Sequence, residues 1–526
     1  MTQPLTHPWP ILTLEGEPAA RKLAEQLGTS VTLAGYLLRR GFAADERTQR
    51  YLEPKLQHLT QPDQMADREP AARRIAEALR NRERIFVFGD YDCDGITSAA
   101  ILTEVLRELG GQVECGLASR FDGGYGLSAR ATERVIQSGA RLLITCDCGS
   151  SDHESLRSVA QAGLDAIVID HHLVPEAPLP VRAFLNPHRP ECGFPYKGLA
   201  SCGLVLSIAA ALRQVTGRSL DLRRWLDLVA IGTIADVAPL DGDNRALVRA
   251  GLKRLAEAPR PGLRALLSLA EIDGSFPIVA RDVAFRIAPR LNAPGRLGSP
   301  ELALRLLLAT NPDEATLLAA EIEQLSEQRK LQQQAMVDEA ARDIEQNGWA
   351  DRAALILGRP GWNHGIVGIV AGRLAEQYRR PVIVVGFDGA IGRGSVRGPA
   401  GARLFDALSA VQQSLVRFGG HQAAAGVEVE YSKLEELRQR FEAACAEGLA
   451  AASEVRGGDT EVIELLPEDD PRQVLSDILR LEPCGEGNPR PEFSFSARLI
   501  SARAVKGGHL KLELEAPTGC RVGAFA

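Results

Sequence analysis

Four short, nearly continuous apolar runs, each ending on an acid, organise the first half of the chain: Ile85–Gly89 runs into Asp90, Leu142–Cys146 into Asp147, Ala166–Ile169 into Asp170 and Leu228–Ala235 into Asp236. Runs this short, rich in Val and Ile, suit parallel strands covered on both faces. The fourth run also fits a helix. Amphipathic stretches such as 97–109 and 151–162 lie between them, which predicts an α/β lobe with helices over a parallel sheet. In such sheets the site lies at the carboxyl ends of the strands, where these acids would gather. From Asn311, an N-cap followed by Pro312 and the acids Asp313 and Glu314, no Gly or Pro occurs until Gly348. One continuous helix there would be about 50 Å long, and Gln332, Gln333 and Gln334 in its middle make it a connector between lobes. A second α/β pattern follows, with strands near 353–357 and 382–385 around a helix at 366–378. Residues 1–80 are helix-rich in pattern, 450–458 read as a linker, and 510–515 alternate as a strand.

At 526 residues the chain exceeds a single core and divides into several domains. A hydrophobic content of 45% and a charged content of 25% are those of a soluble globular protein. The first ten residues lack the basic and apolar regions of a signal peptide, and no run approaches the roughly 20 apolar residues of a membrane span, so a cytoplasmic location is expected. Nine cysteines without CxxC pairs exclude a disulfide framework and a structural zinc site. The net charge of −7 supplies no global footprint for nucleic acid, but a strand threaded through a local groove needs only a local excess of Arg.

The chemistry begins at Asp90, Asp92 and Asp94. On an extended strand these alternate positions share a side, so the three carboxylates converge. Like charges so close oppose one another's ionisation, and a hard divalent cation with oxygen ligands is the simplest relief. His171 and His172, directly after Asp170, add imidazoles to the same edge.

The ordered motifs Gly89-Asp-Tyr-Asp-Cys-Asp-Gly95, Asp147-Cys-Gly149, Asp170-His171-His172, Gly232-Thr-Ile-Ala-Asp-Val-Ala-Pro239 and Phe418-Gly-Gly-His-Gln-Ala-Ala-Ala-Gly426 resemble those of the DHH phosphoesterase superfamily. Within it, the chain is most similar to the RecJ-type single-strand-specific 5′-to-3′ exonucleases of DNA repair and recombination. The resemblance implies two parallel-sheet α/β lobes, a DHH catalytic domain at 81–310 and a DHH-associated substrate-binding domain at 349–452. A helix at 311–348 would join them, with an N-terminal helical segment at 1–80 and an incomplete OB-like β-barrel at 459–526.

It also implies two divalent ions, Mn²⁺ or Mg²⁺. Asp92 and Asp147 would hold one, and Asp94, Asp147, His171 and Asp236 the other. His172 would be the catalytic group at the phosphate, with Asp90 and Asp170 orienting the ligands from behind. Substrate contacts would come from Arg120 and Tyr125 of Ser119–Gly126, from Asn292 and Arg296, and from Arg393, Ser395, Arg397, Gly419, Gly420 and His421. The implied partners are single-stranded DNA, a single-stranded-DNA-binding protein and a recombination helicase, with the enzyme acting as a monomer away from membranes. Where the family has Trp-His-x-Gly, this chain has Trp362-Asn-His-Gly365, so His364 receives no catalytic role. Two rivals are a superfamily phosphodiesterase acting on short oligonucleotides or small nucleotides, and a nucleic-acid-binding scaffold without activity.

Overall fold

The computed structural model describes residues 11–12, 18–258, 260–420, 422, 424–452, 462–465, 470–494, 496–505, 509–516 and 519–525. They divide into two units, one of residues 61–238 and 251–457, the other of residues 1–60, 239–250 and 458–526.

The larger unit opens with strand β1 (Arg84–Gly89), helix α1 (Cys93–Glu108), β2 (Gln112–Leu117), β3 (Leu142–Cys146), β4 (Asp165–Ile169) and β5 (Ala183–Leu185). The strands form one parallel sheet in the order β2-β1-β3-β4-β5. Phe86, Phe88, Leu143 and Val168 pack on one face against Val135, Leu156 and Val159, each buried side chain stabilising by about 1.5–3 kcal/mol. Helices α1, α2 (Ser201–Thr216) and α3 (Leu226–Ala235) pack together beyond the other face. The apolar run ending at Asp236 is therefore a helix. Its residues 226–234 are all buried, so no polar face marks its period.

Helix α4 (Pro312–Gln346) is the long helix expected from its cap, with Asn311 Oδ1 accepting from Asp313 N at 2.7 Å and Glu314 N at 3.3 Å. Its first half buries Ala315, Leu318, Ala319 and Ile322; its second half gives Met336, Val337, Ala340 and Ile344 to the core of the second lobe. That lobe contains β6 (Leu355–Pro360), α5 (Val367–Tyr378), β7 (Val382–Asp388), β8 (Ile391–Arg397), β9 (Arg417–Gly420) and β10 (Ala424–Glu430), in the sheet order β9-β10-β8-β7-β6. Both lobes are α/β, but the second sheet is mixed, a correction to the parallel sheet expected there. Only β6 and β7 run parallel, because a two-residue turn at Gly389–Ala390 reverses the chain between β7 and β8.

In the smaller unit, helices Val31–Arg39 and Glu46–Leu52 share a core with Ile463 and Leu481. Ile11–Leu12, Val462–Glu464 and Glu492–Ser494 pair as a parallel sheet. Arg498–Ala504, Leu510–Glu515 and Arg521–Phe525 form an antiparallel one. The N-terminal helices thus belong to one compact unit with residues after 458, and the larger unit begins at residue 61. No helix of the described residues is long and apolar enough to cross a membrane.

Candidate metal centre

Strand register sets the first three acids. Gly89 lies opposite Cys146, and Cys146 opposite Ile169, so Asp90, Asp147 and Asp170 are the next residues of three adjacent strands. Their amides continue the ladder: Asp90 N donates to Cys146 O at 3.2 Å, Asp147 N to Ile169 O at 2.9 Å and Asp170 N to Leu185 O at 3.0 Å.

Asp92 and Asp94 arrive differently from the expected strand alternation. Asp92 is the N-cap of α1, its Oδ1 accepting from Asp94 N at 3.1 Å and Gly95 N at 3.2 Å, and Asp94 lies in the first turn. A helix start satisfies amides that a strand would leave open, and it aims an acid at its own positive end. Gly95 permits the fit, since a Cβ there would stand 2.5 Å from Asp90 O. Asp94 reaches a second helix start, with Oδ2 accepting from Ser201 N at 2.6 Å and Oδ1 from Cys202 N at 2.9 Å. Asp147, at φ 65°, turns its Oδ1 towards Ser201 Oγ at 3.0 Å. Asp236 ends α3.

These residues meet. One possible ligand atom from each of Asp94, His171 and Asp236 lies within 4.8 Å of the others, and the same holds for Asp90, Asp92 and Asp147 and for Asp147, His171 and His172. Asp147 belongs to two of the three groups. Asp90, expected to orient the ligands from behind, shares one of these groups with Asp92 and Asp147. His171 Nε2 is 3.3 Å from Asp147 Oδ1 and 3.6 Å from Asp236 Oδ2, and this buried atom has no hydrogen-bond partner.

Burial, then the charges of Asp94, Asp92 and Asp236, push the Asp147 carboxyl well above its ordinary range. Burial, then Asp94 and Asp92, raise Asp236 to about 8. Burial and then Asp92 raise Asp90. A divalent cation relieves this crowding and gives the orphaned imidazole nitrogen a partner; oxygen donors with one imidazole suit Mn²⁺ and Mg²⁺. The residues present fit the group.

His172 differs from His171 in its hydrogen-bond partner. Its Nδ1 is 2.7 Å from Asp170 Oδ1, and although burial lowers the imidazole's pKa, this hydrogen bond and the Asp170 charge raise it to about 9. Asp170 also accepts from His171 N, His172 N and Ser150 N at 2.8, 3.2 and 3.0 Å. Burial opposes its ionisation, yet the bonds from His172 and Ser150 prevail and hold its carboxyl below the usual range.

Tyr125, expected among the substrate contacts, donates from its hydroxyl to Asp147 O at 2.9 Å, and the same hydroxyl lies 2.9 Å from His172 Nδ1. Asn186, buried, donates to His172 O at 2.8 Å. Ser201, Asn186 and Ser150 were not foreseen, because Ser and Asn that brace a site from behind carry no local signal.

The guanidinium of Arg120 lies 3.8 Å from the Tyr91 ring centroid, and its buried Nε has no hydrogen-bond partner. Arg296 donates to Gly365 O at 3.3 Å; burial, then Arg120 and Arg329, lower its pKa to about 10. Arg397 is lowered by burial and then by Arg120. Arg329, on α4, was also missed, and its Nε is buried without a partner. Phe121 and His364 bring the two lobes into contact with ring centroids 4.8 Å apart. Arg393, Ser395 and Arg397 alternate along β8, where Arg393 is 3.5 Å from Glu428 and Ser395 faces Gly368. Ser395 lies opposite Gly426, and Gly426 opposite Gly419. Gly420 sits at φ 140°, where a Cβ would come within 2.5 Å of Ala424 O. Asn292 follows Leu291 at a helix end in αR conformation. His421 lies outside the described residues.

An Asp-and-His centre at the carboxyl edge of a parallel sheet, joined by a long helix to a second lobe lined with arginine, defines a two-lobed phosphoesterase of the DHH class. The model of the DHH family, N-terminal domain, matches residues 84–233, and that of the DHHA1 domain matches residues 351–447. The chain is 37% identical over 462 residues to the single-stranded-DNA-specific exonuclease RecJ of Dickeya dadantii (strain 3937), covering 84% of this chain and 80% of that protein. It is 36% identical to the exonuclease of the same name from Bacillus subtilis (strain 168), covering 90% of this chain but spanning only 59% of the relative's length. The crystal structure of RecJ in complex with Mn²⁺ from Thermus thermophilus superposes with a TM-score of 0.81 at 34% identity, over 98% of this chain and 73% of that one. The Mg²⁺ complex from the same source gives 0.75 at 32% identity over 98% and 72%. The chain belongs to the DHH family, in its RecJ group.

Proposed function

We propose that the chain hydrolyses single-stranded DNA from the 5′ end and releases mononucleotides, with two divalent ions, Mn²⁺ or Mg²⁺, held by Asp92, Asp94, Asp147, His171 and Asp236. One observation carries this reading: the buried acid and histidine cluster adjoins Arg120, Arg296 and Arg397, none of which has an ion pair with Asp or Glu among the described residues. Half-buried guanidinium groups without a carboxylate stay short of a counter-charge until an anion arrives. The names of the relatives, single-stranded-DNA-specific exonucleases, and the Mn²⁺ and Mg²⁺ of the Thermus structures support the same choice.

When bound, the ions would supply an acidified water and neutralise the phosphoryl oxygens. The chain's own residues do the rest. His172, kept as imidazolium by Asp170 and braced by Tyr125, would face the scissile phosphate. Arg393, Ser395 and Arg397, with the backbone at Gly419 and Gly420 and with His421, would hold the 5′-terminal phosphate, and Arg120, Asn292 and Arg296 would contact the strand elsewhere in the cleft. A cleft bridged by Phe121 and His364 would admit one strand and exclude a duplex. A single-stranded-DNA-binding protein and a recombination helicase as partners, a monomeric state and a cytoplasmic setting complete the reading.

The test is the product pattern from end-labelled single- and double-stranded oligonucleotides with Mn²⁺ or Mg²⁺. Stepwise mononucleotides from the 5′ end of single strands are expected. Degradation from the 3′ end, equal cleavage of blunt duplex, or cleavage confined to dinucleotides would overturn it.

A further inference from the structure

Residues 280–297 form a nearly continuous helical run with a five-residue π turn at Val283–Ile287, in which Ala288 N donates to Val283 O. Wide turns of this kind rotate the following side chains and recur at functional sites. Val283, Ile287, Ala288 and Leu291 face inward and are buried. The opposite stripe reads Arg281, Phe285, Pro289, Asn292 and Arg296, at spacings of four, four, three and four that keep one helical face. Arg296 ends this stripe in the arginine-lined cleft, and Cys93 Sγ, donating to Ala288 O at 3.4 Å, pins its middle to the first turn that carries the acids.

Phe285, along the same stripe, is 73% exposed. Arg281, exposed, holds its guanidinium 6.0 Å from the Phe285 ring centroid and has no ion pair among the described residues. Burying neither the ring nor the cation is hard to reconcile with a purely structural role, because the run already has a complete apolar face.

We propose that Phe285, with Arg281 beside it, is a stacking platform for a base of the single strand on its way into the cleft, an inference that rests on the exonuclease reading above. The occupant is single-stranded DNA for two reasons. The stripe is continuous with the cleft, eleven residues and at most about 16 Å from Arg296 along a helix axis. An exposed ring flanked by a free guanidinium also matches the π face and phosphate of a nucleotide. The platform lies beyond the reach of the terminal nucleotide, so it grips long strands and not the shortest ones.

The experiment compares wild type with Phe285→Ala, Phe285→Trp and Arg281→Ala on 5′-phosphorylated oligothymidylates of three and twelve nucleotides. Affinity is measured by fluorescence anisotropy without divalent ions, and cleavage of the trimer with Mn²⁺. A 2-aminopurine stepped along the twelve-mer reports stacking. Phe285→Ala should weaken the twelve-mer roughly five- to a hundredfold, the span of one base–aromatic stack, abolish quenching at one register and leave trimer cleavage unchanged. Phe285→Trp should restore both signals, and Arg281→Ala should weaken the twelve-mer in a salt-dependent way. A wild type that cleaves the trimer while Phe285→Ala binds the twelve-mer as tightly as wild type overturns the platform and leaves the exonuclease reading standing. Equal losses on both lengths, or a change only in oligomeric state, overturn it as well. Failure of the wild type to cleave either strand is the result that counts against the exonuclease reading itself.

Discussion

Replacing Asp147 by asparagine isolates the electrostatic cost of the acid cluster. Asp147 sits at φ 65°, a left-handed conformation that asparagine adopts readily and that costs most other residues roughly 1–2 kcal/mol. The amide oxygen can still accept from Ser201 Oγ, now 3.0 Å away. The substitution therefore removes a charge and little else. Ligand atoms of Asp90, Asp92 and Asp147 lie within 4.8 Å of one another, and two unit charges at that separation repel by about 3 kcal/mol at an effective dielectric constant near 20. Burial and these neighbours raise the Asp147 carboxyl well above its ordinary value. A raised carboxyl costs nothing below its unfolded pKa of about 3.9. Above that pH the unfolded chain releases a proton the fold retains, so the penalty grows as pH rises.

Metal-free Asp147→Asn should therefore melt with wild type at about pH 4 and roughly 3–5 °C above it at pH 8. Melting curves in chelator between these limits measure the gap. Added Mn²⁺ should raise the Tm of wild type by mass action and that of the variant far less, with hydrolysis lost. The reasoning is refuted if the metal-free variant melts below wild type at pH 8, if the gap is the same at both pH values, or if saturating Mn²⁺ restores near-normal turnover.

His171→Ala should lose metal affinity, and His172→Ala should lose turnover far more than affinity, because only the first has its free nitrogen among the clustered acids; equal losses by calorimetric titration would end that division. Asp170→Asn should lower the His172 pKa from about 9, and since turnover that needs the imidazolium persists only below that pKa, the alkaline limb of the pH–rate profile should move to lower pH. An unmoved limb would free His172 of this role. Wild type should degrade 5′-phosphorylated strands faster than 5′-hydroxyl ones, and Arg397→Ala should shrink that preference and reduce the salt dependence of binding by about one phosphate contact; an unchanged preference would remove Arg397 from the terminal pocket.

What was legible in the sequence is what is encoded locally. An apolar strand and the acid after it are adjacent in the chain, and parallel register then aligns Asp90, Asp147 and Asp170 without further information. Asp92 and Asp94 mimic strand alternation because spacing by two looks the same in a strand and in an N-cap with its first turn; Gly95, pressed on Asp90, was the available sign that a helix begins there. The run before Asp236 hid its period by being apolar on every side. In the second lobe, Arg393, Ser395 and Arg397 alternate identically whichever way the neighbouring strands run, and only the turn at Gly389–Ala390 distinguishes the mixed sheet.

What was not legible is held from a distance. Ser201, 107 residues from Asp94 and 54 from Asp147, and Asn186, 14 residues from His172, brace the site through hydrogen bonds that leave no periodic trace. Arg329 faces the cleft from a helix whose pattern marked it only as a connector. The acids themselves explain the contrast. Charges that repel one another in a dry site must be fixed by the strand ends that carry them, so their placement is written into the local sequence. The hydrogen bonds that orient them can be donated by any backbone amide or hydroxyl the fold brings near, so only the assembled structure identifies the donor.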